Sequence, residues 1–187
     1  MTEFADVKST FDYLKKNAKE EKTAKAPSGS EIPVSGTPID LLPLFKMSEE
    51  AGEPGEVERY DFLEADVFQK IMDQLYDEKT LTQAMLNQNP PIKIAYTDED
   101  GFKTLHEIIP SGIDGYIVFD EDDDDVPKNY SYIYLDSICL TCRDENSFRA
   151  TRISAAWFQG QEINLGNYLA DLCRKTKHYK DAVAKRK

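Results

Sequence analysis

The sequence predicts an α+β protein: a small antiparallel β-barrel flanked by helices, with a largely disordered N-terminal segment. Three observations predict it. Residues 92–157 hold short runs rich in Ile, Tyr, Phe and Thr, separated by turn residues. Residues 61–79 place Leu63, Val67, Phe68, Ile71, Met72 and Leu75 on one face of a helical period. Residues 20–58 are rich in Glu, Lys, Ala, Pro, Gly and Ser, a mixture too polar to offset the entropy of ordering the chain. The expected organisation is a mostly disordered segment at 1–60, a helical lead-in at 61–90, a β domain at 91–160, and a helix with a basic tail at 161–187.

Within the N-terminal segment, Val7, Phe11 and Leu14 fit one side of a short helix. Residues 38–45, Pro-Ile-Asp-Leu-Leu-Pro-Leu-Phe, form an apolar island. It either packs on the protein's own surface or docks a protein partner. The lead-in helix starts at Asp61, where Asp61 and Glu64 resemble a capping box. A shorter helix follows over 80–87, stopped by Pro90-Pro91.

The β region then alternates. Ile92, Ile94 and Tyr96 read as a half-buried strand, residues 98–101 as a turn, and 102–109 as the return strand, which Pro110 stops. Residues 113–119 form a third strand, and the acidic run Asp120 to Asp125 with Pro127 the loop after it. Residues 130–143 form a long strand with apolar residues on both parities, expected to bend or bulge at Asp136-Ser137. A fifth strand spans 147–157; there, Phe148 and Ile153 require either two covered faces or a bulge. Asn164 caps a final helix whose apolar face is Leu165, Tyr168, Leu169, Leu172 and Cys173.

Composition narrows the function classes. The formal net charge is −12, which disfavours general nucleic-acid binding outside a local basic patch. No apolar run is long enough to span a membrane, and the start of the chain has no secretory pattern, so a cytoplasmic protein is expected. Three cysteines do not make a disulfide framework. Phosphate-cradle, zinc-protease and hydrolase motifs are missing, so no catalytic residue and no cofactor is assigned. Cys139 and Cys142 form a CxxC, but on a continuous strand their thiols would face opposite ways, and a zinc site needs converging ligands. His106, alone in a strand, reads as structural. The acidic run lacks the ligand pattern of an EF-hand loop and reads as solvated.

Arg143, Arg149 and Arg152 gather near the last hairpin of an acidic chain. Their forked guanidinium groups suit phosphate or carboxylate; equally, they suit pairing with Asp136, Asp144 or Glu145 across the hairpin.

One stretch resembles a known family. Ile133-Tyr134-Leu135-Asp136-Ser137-Ile138-Cys139-Leu140, running on to Phe148-Arg149-Ala150-Thr151-Arg152-Ile153, is similar to the signature half of a WYL domain, with a spacing that matches that signature without a gap. Upstream, Ile92 to Tyr96, the acidic Gly turn and Ile108-Ile109-Pro110 also fit. Ile133 stands where the family has Trp, Ala150 where it has Leu, and Thr151 where it has Asp. No helix-turn-helix precedes the β region. The resemblance implies an Sm-like or SH3-like barrel serving as a regulatory or accessory ligand-binding module of the bacterial and phage kind, with single-stranded nucleic acid or a nucleotide as ligand. It carries a ligand role to Tyr134, Arg149 and Arg152 and, by position, to Arg143, with Tyr132 or Tyr134 stacking on a base. The alternative expectation is an acidic protein-interaction or inhibitor protein that mimics nucleic acid.

Overall fold

The computed structural model describes residues 39–78, 80–120 and 128–187. The expected short helix near Val7 and the acidic residues 121–125 lie outside them. The architecture is mixed α+β, an antiparallel sheet with helices on both faces.

Its spine is β3, Lys103–Asp120, a single strand of 18 residues. Antiparallel partners line both its edges. β2 (Ile92–Thr97) pairs with its first half, and β1 (Glu56–Asp61) with its second. On the other edge β5 (Tyr134–Cys139) pairs with its middle and β4 (Lys128–Ser131) with its end. β6 (Asp144–Arg149) extends the sheet beyond β5, while β7 (Ile153–Phe158) and the short β8 (Gln161–Glu162) extend it beyond β2. The hydrogen-bonded order is therefore β6-β5-β3-β2-β7-β8, with the two end strands unpaired to each other.

Pro110 was expected to end a strand, and it does not. The ladder to β2 runs out at Ile108, and the ladder to β1 begins at Gly112. Pro110 lies in the gap, at a register shift opposite β5. A residue without an N–H is tolerated at such a bulge. The bend expected at Asp136-Ser137 is absent from β5 itself, whose register with β6 is unbroken. The irregularity lies on the partner strand, and the long fourth strand breaks earlier, between β4 and β5. The apolar residues on both parities have another cause. Ile108 and Cys139 face one core, Ile109 and Ile138 the other, so both faces of this part of the sheet are covered. Between Phe148 and Ile153 the chain makes a 3-10 turn, Ala150–Arg152.

Among the described residues, four longer helices and one short one accompany the sheet. α1 (Leu42–Ala51) falls in the segment expected to be disordered. Pro43 supplies a fixed φ in its first turn, and Gly52 closes it in the left-handed region at φ 95°. Ile39, Leu41, Leu44 and Met47 are buried in the larger core, so residues 39–45 pack on the protein itself. β1 follows within the same segment. α2 (Ala65–Glu78) begins four residues later than expected, because Asp61 still belongs to β1. Its Ile71, Met72 and Leu75 cover Ile109 and Ile138, forming the smaller core. α3 (Gln83–Gln88) is capped by Thr82.

α4 (Leu165–Lys175) has Asn164 as its cap, the Asn164 side chain accepting from Asn167 N–H at 2.9 Å. It packs against α1. The backbones come so close that a side chain on Gly166 would run into the carbonyl of Asp40. Arg174 clamps Glu50 with two hydrogen bonds, Nε at 3.0 Å and Nη2 at 3.1 Å, and Tyr179 on α5 (Lys177–Ala184) donates to the same carboxylate at 2.6 Å. These contacts hold the Glu50 carboxyl below its ordinary pKa, the Arg174 bond contributing most. No helix among the described residues is long and apolar enough to cross a membrane.

Candidate functional site

Where β1, the second half of β3 and the start of β5 meet, the surface forms an open groove of about 800 Å³. Its walls are aromatic. The rings of Tyr116 and Tyr132 lie 4.9 Å apart and are tilted at 36° to each other. Tyr116 is 48% exposed and Tyr134 40% exposed. Arg149 lies directly opposite Tyr134 in the β5–β6 ladder and places its guanidinium carbon 5.2 Å from the centre of the Tyr132 ring. Arg149 Nε is buried with no hydrogen-bond acceptor among the described residues.

The backbone dictates this arrangement. Gly115, at φ 130°, lets β3 pass so close to Tyr132 that a Cβ there would collide with the Tyr132 carbonyl oxygen. The close approach sets the Tyr132 ring beside Tyr116, whose carbonyl accepts from the Tyr132 N–H at 2.9 Å.

The arginine that lines the groove itself, Arg59, is committed. Arg59 on β1 pairs with Asp61 at 2.8 Å, with Asp136, and with Asp114 at 3.9 Å. Burial works against its charge, but Asp136 and Asp61 outweigh that and raise its pKa above the ordinary value. Glu56, Glu58 and Asp114 border the opening, so its rim is acidic.

Of the residues singled out in the sequence, the fold brings together Tyr132, Tyr134 and Arg149. It does not add Arg143 or Arg152. Arg143 occupies the turn at the other end of the β5–β6 hairpin, in the left-handed region at φ 60°. Six residues of extended chain put its backbone about 20 Å from that of Arg149. Arg152, on the 3-10 turn, pairs with Glu99 at 3.5 Å. The expected cross-hairpin acids are also engaged elsewhere: Asp136 by Arg59, and Asp144 by the Tyr76 hydroxyl at 2.7 Å. Tyr116 and Arg59 were not foreseen. The signal available for Tyr116 was its place directly after Gly115, in a run holding two glycines within four residues.

A second cluster corrects the reading of the CxxC. β5 ends at Cys139, and residues 140–143 form a turn rather than more strand. The turn folds Cys142 back, so that its N–H donates to Cys139 Sγ at 3.1 Å. His106 on the neighbouring strand points Nδ1 at both sulfurs, 3.6 Å from Cys139 and 3.4 Å from Cys142. The three donor atoms lie within 4.8 Å of one another. Burial pushes the Cys139 thiol up to about 12 and moves His106 below its ordinary value, toward the neutral ring. Cys173, the third thiol, is buried on α4 and stands apart from this group.

Comparison of the chain with protein-family models, with curated proteins and with solved structures returns no match.

Proposed function

We propose that the chain is a non-enzymatic regulatory or accessory binding module whose tyrosine groove takes a planar, phosphate-bearing ligand: a nucleotide or a short stretch of single-stranded nucleic acid. The observation that carries this reading is Arg149 lying over Tyr132 beside two exposed tyrosines. Exposed rings offer stacking faces to a base, and a guanidinium at the edge of the same surface suits one phosphate. The acidic rim of Glu56, Glu58 and Asp114 repels a long polyanion, so the preferred ligand is short.

The WYL resemblance supports the same reading and adds a fold. Strands β2, β3, β5, β6 and β7 follow one another as a meander, with the last returning to pair with the first. A 3-10 turn precedes that last strand. On this reading they are the five strands of an Sm-like or SH3-like barrel, with β1, β4 and β8 as additions.

The test is fluorescence anisotropy with labelled single-stranded and duplex oligonucleotides at about 50 and 200 mM salt, where phosphate contacts weaken measurably. Saturable binding to the single strand, reduced in Arg149→Ala and in Tyr134→Ala, supports the proposal. Absence of binding at the lower salt sinks it and favours an acidic protein-interaction role, to be pursued by partner capture.

A further inference from the structure

The geometry points to a binding site for one zinc-class metal ion formed by Cys139, Cys142 and His106, with the fourth position open to water. The site is independent of the tyrosine groove.

The spacing of the donors is the first argument. Zinc bonds of about 2.3 Å to sulfur and about 2.0 Å to imidazole nitrogen, at a tetrahedral angle, separate S from N by about 3.5 Å. The two S–N edges here are 3.4 and 3.6 Å. Two of the three donor edges therefore already match the ion, and the third, between the sulfurs, lies within 4.8 Å. Two sulfurs and an imidazole are a soft to borderline set, which selects zinc or copper(I) over magnesium or calcium.

The support around the donors is the second argument. His106 Nε2 is 2.7 Å from the Thr104 hydroxyl, two residues along the same strand. With the Nε2 proton donated to Thr104, Nδ1 keeps its lone pair for a metal, the usual way a second partner fixes a ligand tautomer. The Cys142 N–H already points at Cys139 Sγ, and Asn146 Nδ2 is 3.8 Å from Cys142 Sγ. Such donors stabilise a thiolate.

The turn itself is anchored to the histidine's strand. Leu140 N–H donates to the Glu107 carbonyl at 2.8 Å, and Glu107 N–H donates to Thr141 Oγ1 at 2.9 Å. Residue 107 adjoins His106, so both cysteines are held in register with the imidazole before any ion arrives. Phe148 and Tyr96 pack on the ring at 5.1 and 6.3 Å and limit its rotation. Cys139 is fully buried while Cys142 is exposed, so the open position faces solvent on the Cys142 side.

Binding converts the two thiols to thiolates and releases their protons to solvent, with no change of oxidation state.

The experiment is titration of the full chain, reduced and stripped with a chelator, with cobalt(II), followed by displacement with zinc(II). The expected result is a single equivalent of cobalt giving near-ultraviolet thiolate-to-cobalt absorption and the strong visible bands of four-coordinate cobalt, all abolished by one equivalent of zinc. Cys142→Ala alters an exposed side chain and leaves the fold intact, as far-ultraviolet circular dichroism will check. It weakens cobalt binding by about 100-fold or more, and His106→Gln removes the four-coordinate spectrum. A weak octahedral spectrum only, cobalt binding of parent affinity in Cys142→Ala, or a Cys139–Cys142 disulfide that persists under reductant would each overturn the assignment.

Discussion

The guanidinium of Arg149 lies 5.2 Å from the centre of the Tyr132 ring, on the side of the sheet where Tyr116 and Tyr134 are exposed. A stacked arginine offers a flat charged surface that lysine cannot reproduce. Arg149→Lys should therefore weaken binding of a labelled single strand nearly as much as Arg149→Ala, by about 1–2 kcal/mol in each case. Anisotropy titration of both variants checks this. Full retention of affinity in the lysine variant would show that only charge matters at this position.

Gly115 should not tolerate a side chain. Its φ of 130° strains any other residue, and the added carbon meets the Tyr132 carbonyl. Gly115→Ala is expected to destabilise the protein by about 3 kcal/mol or more, combining backbone strain with overpacking. Urea denaturation measures it. A variant of normal stability would mean that the strand passes Tyr132 at a greater distance than described.

Leu44 is fully buried although it belongs to an apolar island that also reads as a docking peptide. Leu44→Ala should lower stability by about 2–5 kcal/mol, the usual range for a buried leucine. A shift in the urea midpoint under about 0.5 kcal/mol equivalent would return the segment to the docking interpretation.

Glu50 links stability to pH. Its folded carboxyl pKa lies below the ordinary value of 4.5, chiefly because Arg174 and then Tyr179 hydrogen-bond the ionised form. Its contribution is thus fully present above that ordinary value and disappears as pH falls through the folded one. Both side chains are over a third exposed to solvent or close to it, 46% for Glu50 and 35% for Arg174, so the contribution is only about 0.5–1 kcal/mol. Thermal melts of Glu50→Gln and the parent should differ at neutral pH and converge in acid below 4.5. A constant gap across that range would rule out this titration as its origin.

The parts of the fold readable from sequence are those set by local pattern. β2 from Ile92 to Thr97, the face of α2 carrying Ile71 and Leu75, and the Asn164 cap all follow from periodicity or a single polar side chain. The parts not readable depend on neighbours. α1 lies in a stretch whose flanks are polar and carry Pro and Gly, and its apolar face is covered by α4, more than a hundred residues away in sequence. Pro110 continues a strand only because the ladders of β2 and β1 leave a gap at that point. The two apolar parities of β5 reflect helices on both faces rather than a kink.

The candidate sites divide in the same way. Tyr134 and Arg149 meet because they are opposite each other in one hairpin ladder, a proximity that strand spacing implies, whereas Tyr132 lies before β5 and is placed by the close approach of β3 at Gly115. Arg143 and Arg152 are near in sequence, yet a tight turn and a 3-10 turn aim them elsewhere. Cys139 and Cys142 meet His106 only because the strand stops at residue 139, and nothing in the alternation of apolar residues marks that stop.

The clamp between α1 and α4 bears on the order in which the chain acquires its structure. Glu50 is held by Arg174, and the Glu49 and Glu50 carbonyls by Arg186, across separations of 124 to 137 residues. During synthesis Leu41, Leu44 and Met47 emerge long before the helix that covers them. Contacts so distant in sequence form late, because a long loop must close first. Residues 39–51 therefore wait as an uncovered apolar segment until the C-terminal helices have been made, and this interval is when the chain is most exposed to misassociation or to capture by a chaperone.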